Sequence, residues 1–459
     1  MPNTLIRNAR VVTAEGEVSN ANIGIRDGII AFIESVAKPT PTAGVDRTQN
    51  FHTIDAAGKW VIPGLVDCHT HFGAFLPFED DLITETKAAA AGGVTTVFHV
   101  ILEPGPILPR LPYYLDAVSR YATVDIHFWA ACMTEEHLHE IPTLRSRGIR
   151  GFKFFLSYKG DEMESVGIYG IDYAYLQRGL EQVASCDGVA VVHVENYELL
   201  QLHKQRQAGK NDFLSFCRSR PPLCEEIDAY ATCRMAQEAG AELYLVHTGT
   251  ADVIDIVGLF RDRGVKVYIE TGPRYLLIDE TGHRLAQPEL ALTTPSYKPA
   301  THLDRLWTAV AAGAVDTMAT DSAANTLKSK LGDGTIWSIQ PSWQEMPTSL
   351  ATMITHGVAE GRISMPQLAA LMSTNPARIF GLDPHKGALA PGADADLVIV
   401  DTETTHAVER CPHSACDYTP YAGHELTGWP VLTMLRGKVV MEAGEIVAAP
   451  GYGRVVGVT

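Results

Sequence analysis

No Cys-x-x-Cys pair occurs in this chain, whose 8 cysteines are scattered from Cys68 to Cys416. That scatter excludes the usual zinc-ribbon and thioredoxin-like patterns, and reduced thiols in a cytoplasmic protein are the expectation. No block of Lys or Arg appears, and Lys+Arg 37 against Asp+Glu 54 gives a formal charge of −17. Such a balance opposes nucleic acid and anionic membrane surfaces as partners. No apolar stretch is long enough to span a bilayer. The segment Met1–Arg10 lacks the apolar core of a secretory signal. Internal repeats, low-complexity tracts and long Ser/Gly/Pro linkers are absent too, so any second domain is expected to be packed rather than tethered.

What is present is a globular composition: 459 residues, 46% hydrophobic, enough for one large domain and a smaller one. Eight short runs rich in β-branched and aromatic residues follow one another: Trp60–Val66, Thr95–Val100, Asp125–Ala131, Gly151–Leu156, Val189–Val194, Glu242–Val246, Val265–Ile269 and Val315–Thr320. Helical patterns separate most of them, at Asp80–Ala91, Glu135–Arg147, Asp172–Ala184, Glu225–Ala239, Ala251–Arg263 and His302–Ala312. Alternation of this kind implies parallel strands, and eight of them point to an α/β protein with a (β/α)8 TIM-type barrel. A doubly wound open sheet shares the alternation and is the alternative. Asn375–Gly381 reads as a helix end closed by glycine.

The flanks carry strands without helices. Leu5–Val12, Val18–Arg26 and Ile29–Ile33 precede the barrel; Asp396–Val400, Thr404–Glu409, Val431–Arg436 and Lys438–Met441 follow it, with turns at Asp27-Gly28 and Arg436-Gly437. Both termini are expected to build one small β-sandwich domain, residues 1–62 with 385–459, on a catalytic barrel of residues 63–384.

Ligand-type residues gather at the carboxyl ends of the barrel strands, where barrel enzymes keep their active sites. His69 and His71 follow the first strand, one residue apart, so both imidazoles can face one metal ion. Cys68 between them is expected to point away. Lys153 lies in the fourth strand, His193 and His247 close the fifth and sixth, and Asp321 closes the eighth. A single buried histidine is more often a satisfied core residue than a ligand; placement at five strand ends reverses that reading. Lys153 stands among Phe152, Phe154 and Phe155. Desolvation there favours a neutral amine, which can take up carbon dioxide to form a carbamate with two oxygens for two metals. The alternative is a lysine paired with a buried carboxylate.

These residues resemble the cyclic amidohydrolases, a group that includes dihydropyrimidinase, hydantoinase, allantoinase and dihydroorotase. The similarity covers nearly the whole chain and lies nearest the hydantoinase/dihydropyrimidinase branch. It rests on Val61–His71, Gly151–Gly160, Val192–Asn196, Glu270–Leu276, Ser373–Leu382, Gly392–Leu397 and Pro450–Gly453. The resemblance implies a first metal on His69, His71, carbamylated Lys153 and Asp321, and a second on Lys153, His193 and His247. It implies attack by a hydroxide bridging two divalent ions, zinc or manganese, on a small-molecule cyclic amide or imide. Asp321 would carry the proton to the leaving nitrogen, and Tyr158 would hydrogen-bond the developing oxyanion. The product would be an N-carbamoyl or amide-bearing acid, and a homo-oligomer, dimer or tetramer, is expected.

Departures fall where that family reads its ring. Ser322-Ala-Ala follows Asp321, where the family usually has His. Thr294-Pro-Ser296 stands for the family's Ser-Pro-Pro, which makes Thr294 the expected substrate contact. Pro341 stands for an Asn and offers no amide. The loop Phe72–Pro77 differs as well. Phe72, Phe75, Tyr297 and Trp343 are candidates to line a more apolar pocket, or are surface aromatics in loops. An allantoinase-like enzyme or an atypical lactam or imide hydrolase is the nearest alternative. A non-catalytic dihydropyrimidinase-like scaffold is the more distant one.

Overall fold

The computed structural model describes residues 3–14, 16–36, 51–160 and 167–459. Eight parallel strands form a nearly closed barrel, in chain order: Leu65–Thr70, Val94–Ile101, Asp125–Ala131, Gly151–Phe155, Val189–His193, Glu242–Leu245, Val267–Thr271 and Thr317–Met318. Neighbours in sequence are neighbours in the sheet. The eighth strand meets the first through a Thr70–Ser322 bridge, a His71 N–H bond to Ser322 O at 2.9 Å, and a Thr320 N–H bond to Asp67 Oδ1 at 3.1 Å. The crossovers are helical throughout, including one that the sequence pattern passed over, Leu111–Tyr121.

The first expected strand, Trp60–Val66, is two elements. Trp60–Pro63 pairs with strands from both termini, whereas Leu65 opens the barrel. Gly64 makes the crossing possible, because a Cβ there would lie 2.2 Å from Thr95 Oγ1. The termini supply a nine-stranded sheet outside the barrel, with a core of its own around Ile6, Val11, Ile23, Val61, Leu397 and Met434. Two of its hairpin turns are at Asp27-Gly28 and Arg436-Gly437, all four residues having positive φ, as tight two-residue hairpins require. Expected strand Thr404–Glu409 shrinks to His406–Ala407, which pairs with Glu425–Leu426 in a separate two-stranded sheet. Within the described residues no helix is long and apolar enough to cross a membrane.

The seventh strand runs two residues further than Val265–Ile269, to Thr271. That extension carries Glu270 to the barrel mouth. In the first strand the register slips between Asp67 and Thr70. Alternation is lost at the slip, so Cys68 does not point away. Its Sγ lies inside the barrel, 3.1 Å from Tyr244 Oη and 4.0 Å from Glu270 Oε2, the carboxylate that also holds His69.

Candidate metal centre

Three donor atoms meet at the barrel mouth: His69 Nε2, His71 Nε2 and Asp321 Oδ1, all within 4.8 Å of one another. His69 Nε2 is 3.2 Å from His71 Nε2 and 3.4 Å from Asp321 Oδ1, and His71 Nε2 is 3.2 Å from that same oxygen. Lys153 Nζ comes in from the fourth strand, 3.3 Å from His69 Nε2. His193 and His247 close the far side, their rings 4.4 Å apart edge to face, with His247 5.5 Å from His69. Tyr158 covers His193 at 4.9 Å between centroids, and its hydroxyl is 2.7 Å from Thr294 Oγ1. His71, Lys153, Tyr158, His193, His247, Thr294 and Asp321 border one pocket, and the buried His69 touches His71, Lys153 and Asp321 of its lining.

Four left-handed non-glycine residues lie here. Tyr158, His247, Asp321 and Ser342 have φ of 60°, 37°, 48° and 69°. Such left-handed positions cost non-glycine residues about 1–3 kcal/mol each and survive only where neighbours over-determine them.

Burial sets the protonation states. It pushes the His69 and His247 imidazoles well below their ordinary range, helped by Lys153 beside both and by His193 beside His247, and it lowers His193 too. These rings are neutral, the form that binds metal. Burial also brings the Lys153 amine down to about 8, against the pull of Asp321 and Glu270. Among the described residues this lysine forms no ion pair; its Nζ has His69 and the Phe155 ring, 5.3 Å away. Burial works to raise Asp321, but His69, His71 and Arg274 outweigh it and hold the carboxylate ionised.

Two buried carboxylates orient two of these imidazole rings. Glu270 Oε1 accepts from His69 Nδ1 at 2.8 Å and from the His247 backbone N–H at 2.9 Å. Glu195 Oε2 accepts from His193 Nε2 at 3.3 Å and from Arg220 Nη1 at 2.7 Å. Each contact fixes the tautomer, leaving the lone pair on the other ring nitrogen. Both acids stand in motifs quoted from the sequence, yet neither was given a role there. Position near a strand end was the available signal.

A family model described as the amidohydrolase family matches residues 60–440. The chain belongs to the amidohydrolase family. It is 31% identical to a D-hydantoinase of Geobacillus stearothermophilus, with 98% of this chain and 96% of that one covered. It is 30% identical to an L-hydantoinase of Paenarthrobacter aurescens, covering 99% and 98%. The crystal structure of a dihydropyrimidinase from Brevibacillus agri superposes with a TM-score of 0.89 at 26% identity, covering 100% of this chain and 99% of that one.

A divalent cation fits what the amidohydrolase site of this chain offers. Neutral imidazoles and an ionised carboxylate form a borderline nitrogen–oxygen donor set, and His247 Nδ1 is buried with no hydrogen-bond partner among the described residues. Not every expectation about the pocket holds. Phe75 and Pro341 line it. Trp343 does not: it is fully buried, packed between Arg274 and Tyr421. Phe72 stacks on His99 with ring centroids 5.8 Å apart, and Tyr297 is buried with its hydroxyl on Ala291 O. Aromatic type alone did not say which loop side chains fold inward.

Proposed function

We propose that this protein is a binuclear metal-dependent hydrolase that opens a cyclic amide or imide ring of the hydantoin or dihydropyrimidine kind. The observation that carries the reading is the convergence of His69, His71, Asp321 and Lys153 donors at the barrel mouth, with His193 and His247 opposite. The family and the hydantoinase relatives support it. His69, His71 and Asp321 would hold one ion, His193 and His247 the other, and Lys153 as carbamate would join both. Two divalent cations supply an activated water near neutral pH and polarise the scissile carbonyl. Zinc suits the imidazole-rich set, with manganese the second choice.

The chain's own groups do the rest. The Asp321 carboxylate, kept ionised, takes the proton of the attacking water and passes it to the leaving ring nitrogen. Tyr158 Oη, positioned by Thr294, donates to the oxygen on which charge develops. Thr294 is itself within reach of the ring, lining the same pocket. Pro341 in that lining favours a ring other than the simplest hydantoin, which keeps allantoinase-like and lactam or imide substrates in view. We further infer that residues 1–62 and 385–459 act as one small domain on a barrel of 63–384, in a cytoplasmic homo-oligomer.

The test is metal content, Lys153 mass and a panel of hydantoins, dihydropyrimidines, allantoin, imides and lactams. Two ions per chain, a mass gain of one CO2 and opening of at least one ring are expected. Well under one ion per chain, with no ring opened, would make the protein a scaffold.

A further inference from the structure

Arg274, 1% exposed, sits just past the seventh barrel strand in the turn Pro273–Leu276. A buried guanidinium is costly unless its donors are met. Nε donates to Glu345 Oε2 at 2.9 Å, Nη1 to Thr293 Oγ1 at 3.3 Å, and Nη2 to the Thr320 carbonyl oxygen. The Trp343 ring covers the guanidinium carbon at 4.8 Å. Tyr421 Oη donates to the other Glu345 oxygen at 2.8 Å.

These bonds reach three separate segments, and each segment carries a pocket residue. Thr320 precedes Asp321. Thr293 precedes Thr294, the partner of Tyr158 at 2.7 Å. Glu345 ends the stretch that begins with Pro341 and Ser342, and Ser342 Oγ donates to the Asp321 carbonyl oxygen at 2.6 Å. The peptide on each side of Asp321 is thus tied to this one network, which holds that residue at its φ of 48°. A planar fork fixes such angles as a flexible ammonium cannot.

We propose that Arg274 is a positioning residue for ring opening: it holds the Asp321 carboxylate and the Thr294–Tyr158 pair in register without touching substrate. This rests on the hydrolase reading above. Loss of the fork shifts the proton carrier, so the step that suffers is proton delivery to the leaving nitrogen. That defect grows with the basicity of the nitrogen, whereas a general loosening of the fold slows all rings alike.

The experiment compares full-length, metal-loaded protein on two rings whose leaving nitrogens differ widely in basicity. Arg274→Lys keeps a charge opposite Glu345 and loses the fork. With metal supplied to saturation, because Asp321 is also a proposed ligand, we expect little change in KM and a fall in kcat of about 100-fold on the basic leaving group, as a misplacement near 1 Å costs, with a smaller fall on the acidic one. The double variant Arg274→Gln/Glu345→Gln removes both charges together and is expected to give the same pattern. Thermal melting reports whether each variant folds. An unchanged kcat, an equal loss on both rings, or failure of both variants to fold would overturn the proposal. A wild-type protein that opens neither ring would overturn the hydrolase reading instead.

Discussion

His69 Nδ1 donates to Glu270 Oε1 at 2.8 Å, and that contact turns the Nε2 lone pair toward His71 and Asp321. The same carboxylate accepts from Tyr244 Oη at 2.9 Å and from the His247 backbone N–H. One buried acid therefore orients the His69 ring and anchors the strand end that carries His247.

Glu270→Gln puts an amide donor where only acceptors are wanted, facing the Tyr244 hydroxyl. Metal affinity should fall by about 10–100-fold, the usual cost of removing such an orienting group. Titration of metal-free protein with zinc checks this; an unchanged affinity would detach Glu270 from the site.

Lys153→Ala should lose metal and hydrolysis together, with partial recovery in short carboxylic acids that replace the missing oxygens. Full activity without added acid would remove the carbamate from the centre.

Carbamate formation should be pH-dependent, because the free amine reacts and the ammonium does not. The Lys153 amine is brought from 10.5 to about 8 by burial, so it is mostly protonated below that pH and mostly neutral above it. Uptake of CO2 by the metal-free protein, followed by the mass of the Lys153 peptide, should rise as pH increases through about 8. A rate flat across that range contradicts the assignment.

Asp321→Asn should leave the thermal transition close to that of the parent and reduce kcat by about 100–10,000-fold, the span of a lost general acid–base group. Turnover at the parent rate would require another proton carrier.

Tyr158→Phe deletes one donor and leaves the Thr294 hydroxyl without its partner. A loss of about 100–1,000-fold in kcat is expected, as for other oxyanion donors. Should the loss fall on KM alone, Tyr158 binds the ring rather than its transition state.

Period and spacing made much of this legible. Eight alternating runs announced the barrel, and residues at strand ends announced the donors, because strand geometry fixes where consecutive side chains go. Legibility failed where the chain departs from regular geometry. The apolar run Trp60–Val66 has no polar break, and its one punctuation mark, Pro63-Gly64, was taken into the strand although the chain passes there from one sheet to another. Cys68 was misplaced because a register slip interrupts the alternation on which the inference depended. Trp343 and Tyr297 were misjudged because their burial depends on Arg274 and Ala291, partners that no local pattern names.

The sequence by itself determined which donor groups are on offer: imidazoles, a carboxylate and a desolvated lysine, set at strand ends by the two-residue period. Only the tertiary structure decided how they are aimed. Glu270 lies 201 residues from His69, and Arg274 lies 71 from Glu345. Contacts across such distances depend on which strands become neighbours when the barrel closes, and on burial that makes each unpaired polar group expensive. Ligand identity is a local property of the chain; ligand orientation belongs to the closed barrel.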